Sequence, residues 1–489
     1  MIQDIDLSSV QEVRQCLEEA RSAQKQIEKM DQEQVDRIVR GMAEAAKKDA
    51  RHLAAMAVEE TGFGKADDKV TKNLFAANDI YESIKDMKTI GLIQRDDQDQ
   101  LWEIAQPVGV IAGIVPSTNP TSTTIFKSLI AVKAGNAIVF NPHPSAAKCT
   151  YETAKLLQTA AEQAGAPKGL IGCVSEPTLD SAHELMTHKI TNLILATGGS
   201  GMVKAAYSSG KPAYGVGPGN VPVYIHKSAD SQAAVRRIIQ SKTFDNGTIC
   251  SSEQAIIVEK EIKRKVVSEL KRQGAYFLDD HEKQRVAAVI LDNGALNSKI
   301  VGKSPQTIAE IAGIIVPSDA RVLIAEEEKV GTDFPFSVEK LSPILALYTV
   351  RDWQEGSERC TELLDLGGLG HTLGIHCEDK QVIENFCLDK KVSRIVVNSG
   401  TTFGGIGATT SIQPSLTLGC GSSGNNITSD NIGPQHLMNK KRLAFGIKEM
   451  NTGESTESLN QQSNRVENRT ISREEVFDIV KSVLQELKI

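Results

Sequence analysis

The sequence predicts an α/β protein made of two doubly wound parallel domains, and three observations predict it. From about residue 108, short apolar runs alternate with stretches of helical periodicity, the pattern of βαβ units. The alternation pauses and restarts near Ala233, which separates a first domain (1–232) from a second (233–410). A length of 489 residues, 40% of them hydrophobic and 24% charged, with 38 glycines, is enough for more than one globular core.

Before the first strand, residues 8–90 read as helices. Asp31 with Gln34 three residues on has capping-box form, and Val35, Ile38, Val39, Met42 and Ala46 then recur at helical spacing. The polar segment 94–100 leads into Leu101-Trp102-Glu103-Ile104, and together 94–106 read as a hairpin or arm for oligomerisation. Val108 to Val115 is nearly all apolar, as in a strand covered on both faces. Helices near 122–133, 145–164 and 180–187 then alternate with strands near 137–140, 170–174 and 193–196, as expected of a dinucleotide-binding domain.

Gly198-Gly199-Ser200-Gly201 follows the last of these strands and opens a helix, where backbone amides can approach a phosphate. A plain strand-to-helix turn explains the same residues equally well. Gly215 to Asn220 looks more like a dinucleotide fingerprint but precedes the strand Val221–Ile225, so it is not a phosphate loop.

The second domain begins with a helix at 233–241 and reaches Asp245-Asn246-Gly247-Thr248-Ile249-Cys250. Asn and Gly tolerate positive φ, so the chain turns sharply here before the strand Ala255–Glu259. Cys250 is therefore expected on a short connection at a strand edge, within reach of a substrate. An ordinary buried cysteine is the competing reading. Helices near 261–273 and 281–291 and strands near 321–325, 344–348 and 394–398 complete this domain. Residues 411–446 read as a loop-rich tail, 447–470 as a flexible polar linker, and 471–489 as an amphipathic docking helix whose apolar face includes Val476, Val480 and Leu484. That helix either docks on a partner or folds back on its own enzyme.

Composition also excludes some functions. A net charge of −7 and a pI near 5.8 do not suit a nucleic-acid binder. No apolar run is long enough to span a membrane, and the N-terminus lacks the form of a secretory signal. Eight cysteines without Cys-x-x-Cys pairs predict a reducing cytoplasm and no metal site.

Several segments together resemble the aldehyde dehydrogenase superfamily, and within it the CoA-acylating branch. They are Pro116-Ser117-Thr118-Asn119-Pro120, Phe140-Asn141-Pro142-His143-Pro144, Ala196-Thr197-Gly198-Gly199 and Phe244 to Gln254. Glu339-Lys340-Leu341-Ser342-Pro343, Gly367 to Thr372 and Thr417 to Gly421 follow in the right order. The resemblance spans about residues 10–446 and implies two doubly wound domains, a β arm and an NAD-dependent oxidoreductase.

It makes Cys250 the nucleophile, Asn119 with the Cys250 backbone N–H the oxyanion donors, and His371 a candidate base for a thiol; a structural histidine is the competing reading for His371. It places Ser117, Asn141, His143, Thr197, Gly198, Gly199, Ser200, Gly217 and Glu339 around NAD, with Asn141 on the adenosine ribose and Glu339 on the nicotinamide ribose. Hydrolytic relatives carry a glutamate base near the position of Gly215, and glycine cannot activate water, so the thioester would wait for coenzyme A. Cys420 is a rival thiol at no nucleophile position.

The implied substrate is a short-chain aldehyde, acetaldehyde by default, with propionaldehyde and sulfoacetaldehyde as alternatives. The implied assembly is a homodimer or homotetramer. The terminal helix resembles peptides that carry such enzymes into bacterial microcompartments, with a shell protein as partner. A hydrolysing or phosphate-using dehydrogenase and a non-catalytic, shell-recruited component are the competing functions.

Overall fold

The computed structural model describes residues 4–450 and, beyond them, 474, 476, 478 and 480–482, which are helical. Most of the expected linker and docking helix therefore lies outside the described residues. The chain forms two compact units, Met1–Arg95 with Glu103–Arg442, and Asp96–Trp102 with Leu443–Ile489. In the smaller unit, Trp102 and Phe445 meet edge to face at 5.3 Å, and the Phe445 N–H donates to the Gln100 carbonyl.

The larger unit opens with helices Ile5–Ile27 and Gln32–Thr61. Asp31 caps the second in the expected capping box with Gln34, and Val35, Ile38, Val39, Met42 and Ala46 are all buried. A third helix, Ala66–Leu74, turns Lys69, Lys72 and Asn73 inward, a face the sequence reading missed.

Strands β1 (Gly91–Asp96) and β2 (Leu101–Pro107) come next. The first large sheet uses β3 (Val110–Val115), β4 (Ala137–Pro142), β5 (Ile171–Cys173), β6 (Thr191–Thr197) and β7 (Ala213–Val216). All pair in parallel, in the order β5-β4-β3-β6-β7. Both faces of β3 and β4 are buried, which is why they read as unbroken apolar runs. The strand order reverses between β3 and β6, and a crevice opens beyond the carboxyl ends of that pair.

The second sheet contains β8 (Val221–Ile225), β9 (Glu253–Glu259) and β10 (Ala275–Phe277). After a small hairpin of β11 (Leu291–Asp292) and β12 (Ala295–Leu296), it continues with β13 (Val322–Glu327), β14 (Ile344–Val350), β15 (Gly370–His376) and β16 (Val392–Val397). The order is β10-β13-β14-β9-β8-β15-β16, again all parallel.

One expectation is corrected here. β8 pairs with β9 and β15, so the second sheet starts at Val221 and not near residue 233. Cys250 lies on the short connection that leads into the amino end of β9, a central strand between β14 and β8. The loop-rich stretch after residue 411 is also less peripheral than it reads. Leu418, Ile432 and Leu437 are buried in the core of the first sheet, and β17 (Met438–Ala444) joins a three-stranded sheet in the order β1-β2-β17.

Candidate active site

The reach of the site follows from opposite ends of the two sheets. Residues after β3 and β6 come from strand carboxyl ends, whereas Cys250 and Gly217 precede the amino ends of β9 and β8. They meet at a cavity of about 820 Å³, and His371, near the amino end of β15, stands behind Cys250. Ser117, Asn119, His143, Thr197, Gly198, Gly199, Gly217, Cys250 and Glu339 line it.

The turn before Cys250 is left-handed at three successive residues, Asp245 (φ 47°), Asn246 (φ 53°) and Gly247 (φ 74°). The asparagine–glycine pair is what makes this reversal cheap. It leaves Cys250 half-buried, with Sγ 3.2 Å from Nε2 of His371. Nδ1 of His371 meets the Thr372 hydroxyl at 2.9 Å, which fixes the ring. Gly219 has no alternative here: a Cβ would lie 2.3 Å from the Cys250 carbonyl oxygen and 3.1 Å from the His371 ring.

Electrostatics keep this pair neutral at rest. Burial pushes the Cys250 thiol up to about 12, helped by the carboxylate of Glu339 and by Cys420, against the pull of Arg394. Burial, and then Arg394, bring His371 down to about 3. Arg394 is a buried cation that donates to the carbonyls of Gly419 and Ser429. It therefore favours a thiolate and opposes an imidazolium. The free protein holds a thiol hydrogen-bonded to a neutral imidazole, so the proton must move as the sulfur attacks.

Asn119 stands at the start of the helix Pro120–Lys133. Its Nδ2 donates to the Thr118 hydroxyl at 3.1 Å and to the Thr248 carbonyl at 3.4 Å. Glu339 is half-buried, accepts from the Gly219 N–H at 2.9 Å, and is raised to about 7 by desolvation, against Gly219, Lys242 and Lys340. Leu341, two residues on, also lines the cavity and holds a positive φ of 45°, a strained setting for a branched side chain.

The cavity suits a dinucleotide. The Thr197 hydroxyl is buried with no partner among the described residues, and the helix Ser200–Ser208 starts at Gly199 with no side chain capping its free N–H groups. A Cβ on Gly199 or Gly217 would meet only open space, so the backbone there is accessible to a phosphate.

Three expected residues are placed otherwise. Asn141 is buried, its Oδ1 accepts from the Ser181 hydroxyl at 2.7 Å and its Nδ2 donates to the Pro142 carbonyl at 3.4 Å, and it does not line the cavity. Ser200 faces a neighbouring cavity of about 590 Å³. His371 does not line the main cavity and reaches the site through Cys250. Cys420 is buried, pushed up to about 11 by burial, and lines the neighbouring cavity. Gly215 is packed in β7 against Tyr207, and Glu339 is the only carboxylate among the described residues lining the main cavity. The sequence reading missed Phe63 and the hairpin wall with Leu296, Lys299 and Lys303. Only their distance in the chain from the motifs hid them.

Residues 1–292 match the Aldehyde dehydrogenase family. The chain belongs to the aldehyde dehydrogenase family. It is 47% identical over 443 residues to the bifunctional aldehyde-alcohol dehydrogenase AdhE of Escherichia coli, covering 90% of this chain and 50% of that protein. The chain thus spans about half the length of that relative. An acetylating aldehyde dehydrogenase from Geobacillus thermoglucosidasius has a similar structure, with a TM-score of 0.91 and 66% identity over 92% of this chain and 99% of the other. A propionaldehyde dehydrogenase from a Clostridium phytofermentans fucose-utilisation microcompartment matches at a TM-score of 0.80 and 30% identity, over 89% and 97% of the two chains. One from Rhodopseudomonas palustris, solved with bound CoA and an acylated cysteine, matches at 0.79 and 28%, over 88% and 97%. These relatives bear out the resemblance and the two-sheet fold.

Proposed function

We propose that this family member converts a short-chain aldehyde, CoA and NAD⁺ to acyl-CoA and NADH, reversibly, with Cys250 as nucleophile. The observation that carries the reading is a thiol 3.2 Å from an imidazole, on a cavity whose only described carboxylate, Glu339, is tied to the Gly219 N–H. The acetylating and CoA-bound relatives support it.

Cys250 Sγ adds to the aldehyde carbonyl while its proton passes to Nε2 of His371. The carbonyl electron pair moves onto oxygen, which Nδ2 of Asn119 and the Cys250 backbone N–H stabilise in the thiohemiacetal. Collapse of this oxyanion leaves the thioester on Cys250 and expels a hydride, for which NAD⁺ would supply the acceptor. Glu339 would hold the nicotinamide ribose, and Thr197, Gly198, Gly199, Gly217, Ser117 and His143, which line the same cavity, would border the rest of the dinucleotide. Once its first proton has gone to solvent, His371 takes the proton of the incoming CoA thiol. Collapse of the second tetrahedral adduct expels Cys250 as thiolate, which regains a proton from His371. The balance is one aldehyde, one CoA and one NAD⁺ consumed, and one acyl-CoA, one NADH and one proton formed.

Acetaldehyde is the first substrate to test, followed by propionaldehyde and sulfoacetaldehyde. NADH formation across that panel with CoA should give the matching thioester for at least one aldehyde. Turnover with none of them would refute the substrate class. A homodimer or homotetramer is the proposed assembly and a bacterial cytoplasm the proposed location.

The amphipathic pattern at 471–489 and the microcompartment relative support docking to a shell protein. Removing residues 455–489 should leave catalysis intact and abolish co-purification with the shell. Loss of activity would point instead to a role within the enzyme.

A further inference from the structure

Beneath Asn119 lies a buried charge cluster that the reaction as described does not use. The helix Ala66–Leu74 presents Lys69 and Lys72 one turn apart, on the same side, to the carboxylate of Asp245. All three are at most 4% exposed. Asp245 Oδ1 accepts from the Lys65 N–H at 2.7 Å, and Oδ2 accepts from Lys69 at 2.9 Å, from the Thr248 hydroxyl at 2.7 Å and from Lys72. This approach depends on Gly64, where a Cβ would lie 1.9 Å from Oδ1.

The Lys72 ammonium has three protons, and each has a partner. One goes to Asp245, one to the Thr248 hydroxyl at 2.9 Å, and one to Oδ1 of Asn119 at 2.5 Å. An ammonium can only donate, so this contact is available only to the oxygen of the Asn119 amide. Flipping the amide would set an NH₂ group against a buried cation and forfeit a charge-assisted hydrogen bond. Nδ2 is therefore held on the far side of the amide. There its bond to the Thr248 carbonyl, at 3.4 Å, is long enough to give up readily to a better acceptor.

We propose that Lys72 is a positioning residue for the oxyanion site: its ammonium locks the Asn119 amide with Nδ2 toward the reacting carbonyl and polarises that amide as a donor. The inference rests on the acylating reading, in which Asn119 faces the thiohemiacetal oxygen. Two ammonium groups against one carboxylate also leave the cluster with a net positive charge below the place where negative charge develops. Burial explains why this is a costly arrangement for Lys72. It brings the ammonium down to about 8, with the Asp245 carboxylate opposing the fall and Lys69 adding to it.

The test is a double-mutant cycle in the full-length protein, reading NADH formation with aldehyde and CoA. Lys72→Met should lower kcat by about 10- to 100-fold, with the KM for aldehyde and the Kd for NAD⁺ within about twofold, since the oxyanion forms only in the transition state. In an Asn119→Ala background the same change should cost less than about twofold, because its target is gone. Lys72→Gln, which keeps an N–H for the Asn119 oxygen but no charge, should fall between wild type and Lys72→Met.

Multiplicative losses in the double variant, or an unchanged kcat in Lys72→Met, would overturn the proposal. If Lys72→Met does not fold, Lys72→Gln takes its place in the cycle with the same two outcomes. Wild-type protein without CoA-dependent NADH formation would refute the acylating reading itself, which separates the two failures.

Discussion

Cys250→Ala should abolish NADH formation from aldehyde and CoA, by on the order of 10⁴-fold or more, while NAD⁺ binding persists. The size of the loss follows from the role of the sulfur, since Cys250 is the only thiol among the described residues that line the cavity. Cys420, the rival thiol, is buried and opens on the neighbouring cavity, so it should not substitute. The measurement is steady-state NADH formation together with mass spectrometry of protein quenched after aldehyde and NAD⁺ without CoA. Wild type should carry one acyl group, on the peptide containing Cys250, and the variant none. An acyl group on Cys420 in either protein would contradict the assignment.

Asn119→Ala should lower kcat by about 10²- to 10³-fold, equivalent to about 3 to 4 kcal/mol, with little change in KM. The donor is needed where charge develops and contributes little to binding the ground-state aldehyde. The change also leaves the Lys72 ammonium short of one acceptor in a buried setting, so a modest fall in Tm should accompany it. A large rise in KM with kcat intact would show that Asn119 binds substrate and does not stabilise an oxyanion.

Much of this was legible in the sequence because the signals are local. The capping box at Asp31, the buried β3 and β4, and the left-handed turn at 245–247 each depend on a few adjacent residues, and each appears as expected. Pairing is not local. Val221–Ile225 reads as a strand on any scale, but nothing within it says that its neighbours are β9 and β15, so the start of the second sheet is not visible in the local pattern. Asn141 is a related case: its position at the end of the second strand is visible in the sequence, but the Ser181 hydroxyl that donates to its Oδ1 comes from a helix 40 residues away.

The link from Lys72 to Asp245 spans 173 residues, and a lysine three residues after another on a short helix ordinarily reads as a solvated face. Only the fold shows that this face is turned inward. The same holds for His371, 121 residues from Cys250, whose contact with the thiol no spacing rule could supply.

The central claim is that the thioester on Cys250 waits for a thiol and not for water, the one carboxylate among the described residues on the cavity, Glu339, being tied to the Gly219 N–H. Rapid mixing of the protein with aldehyde and NAD⁺ in the absence of CoA tests it most directly. The expected trace is a burst of one NADH per active site followed by a near-flat line, with turnover starting when CoA is added. Steady NADH formation without CoA, accompanied by free carboxylic acid, would contradict it.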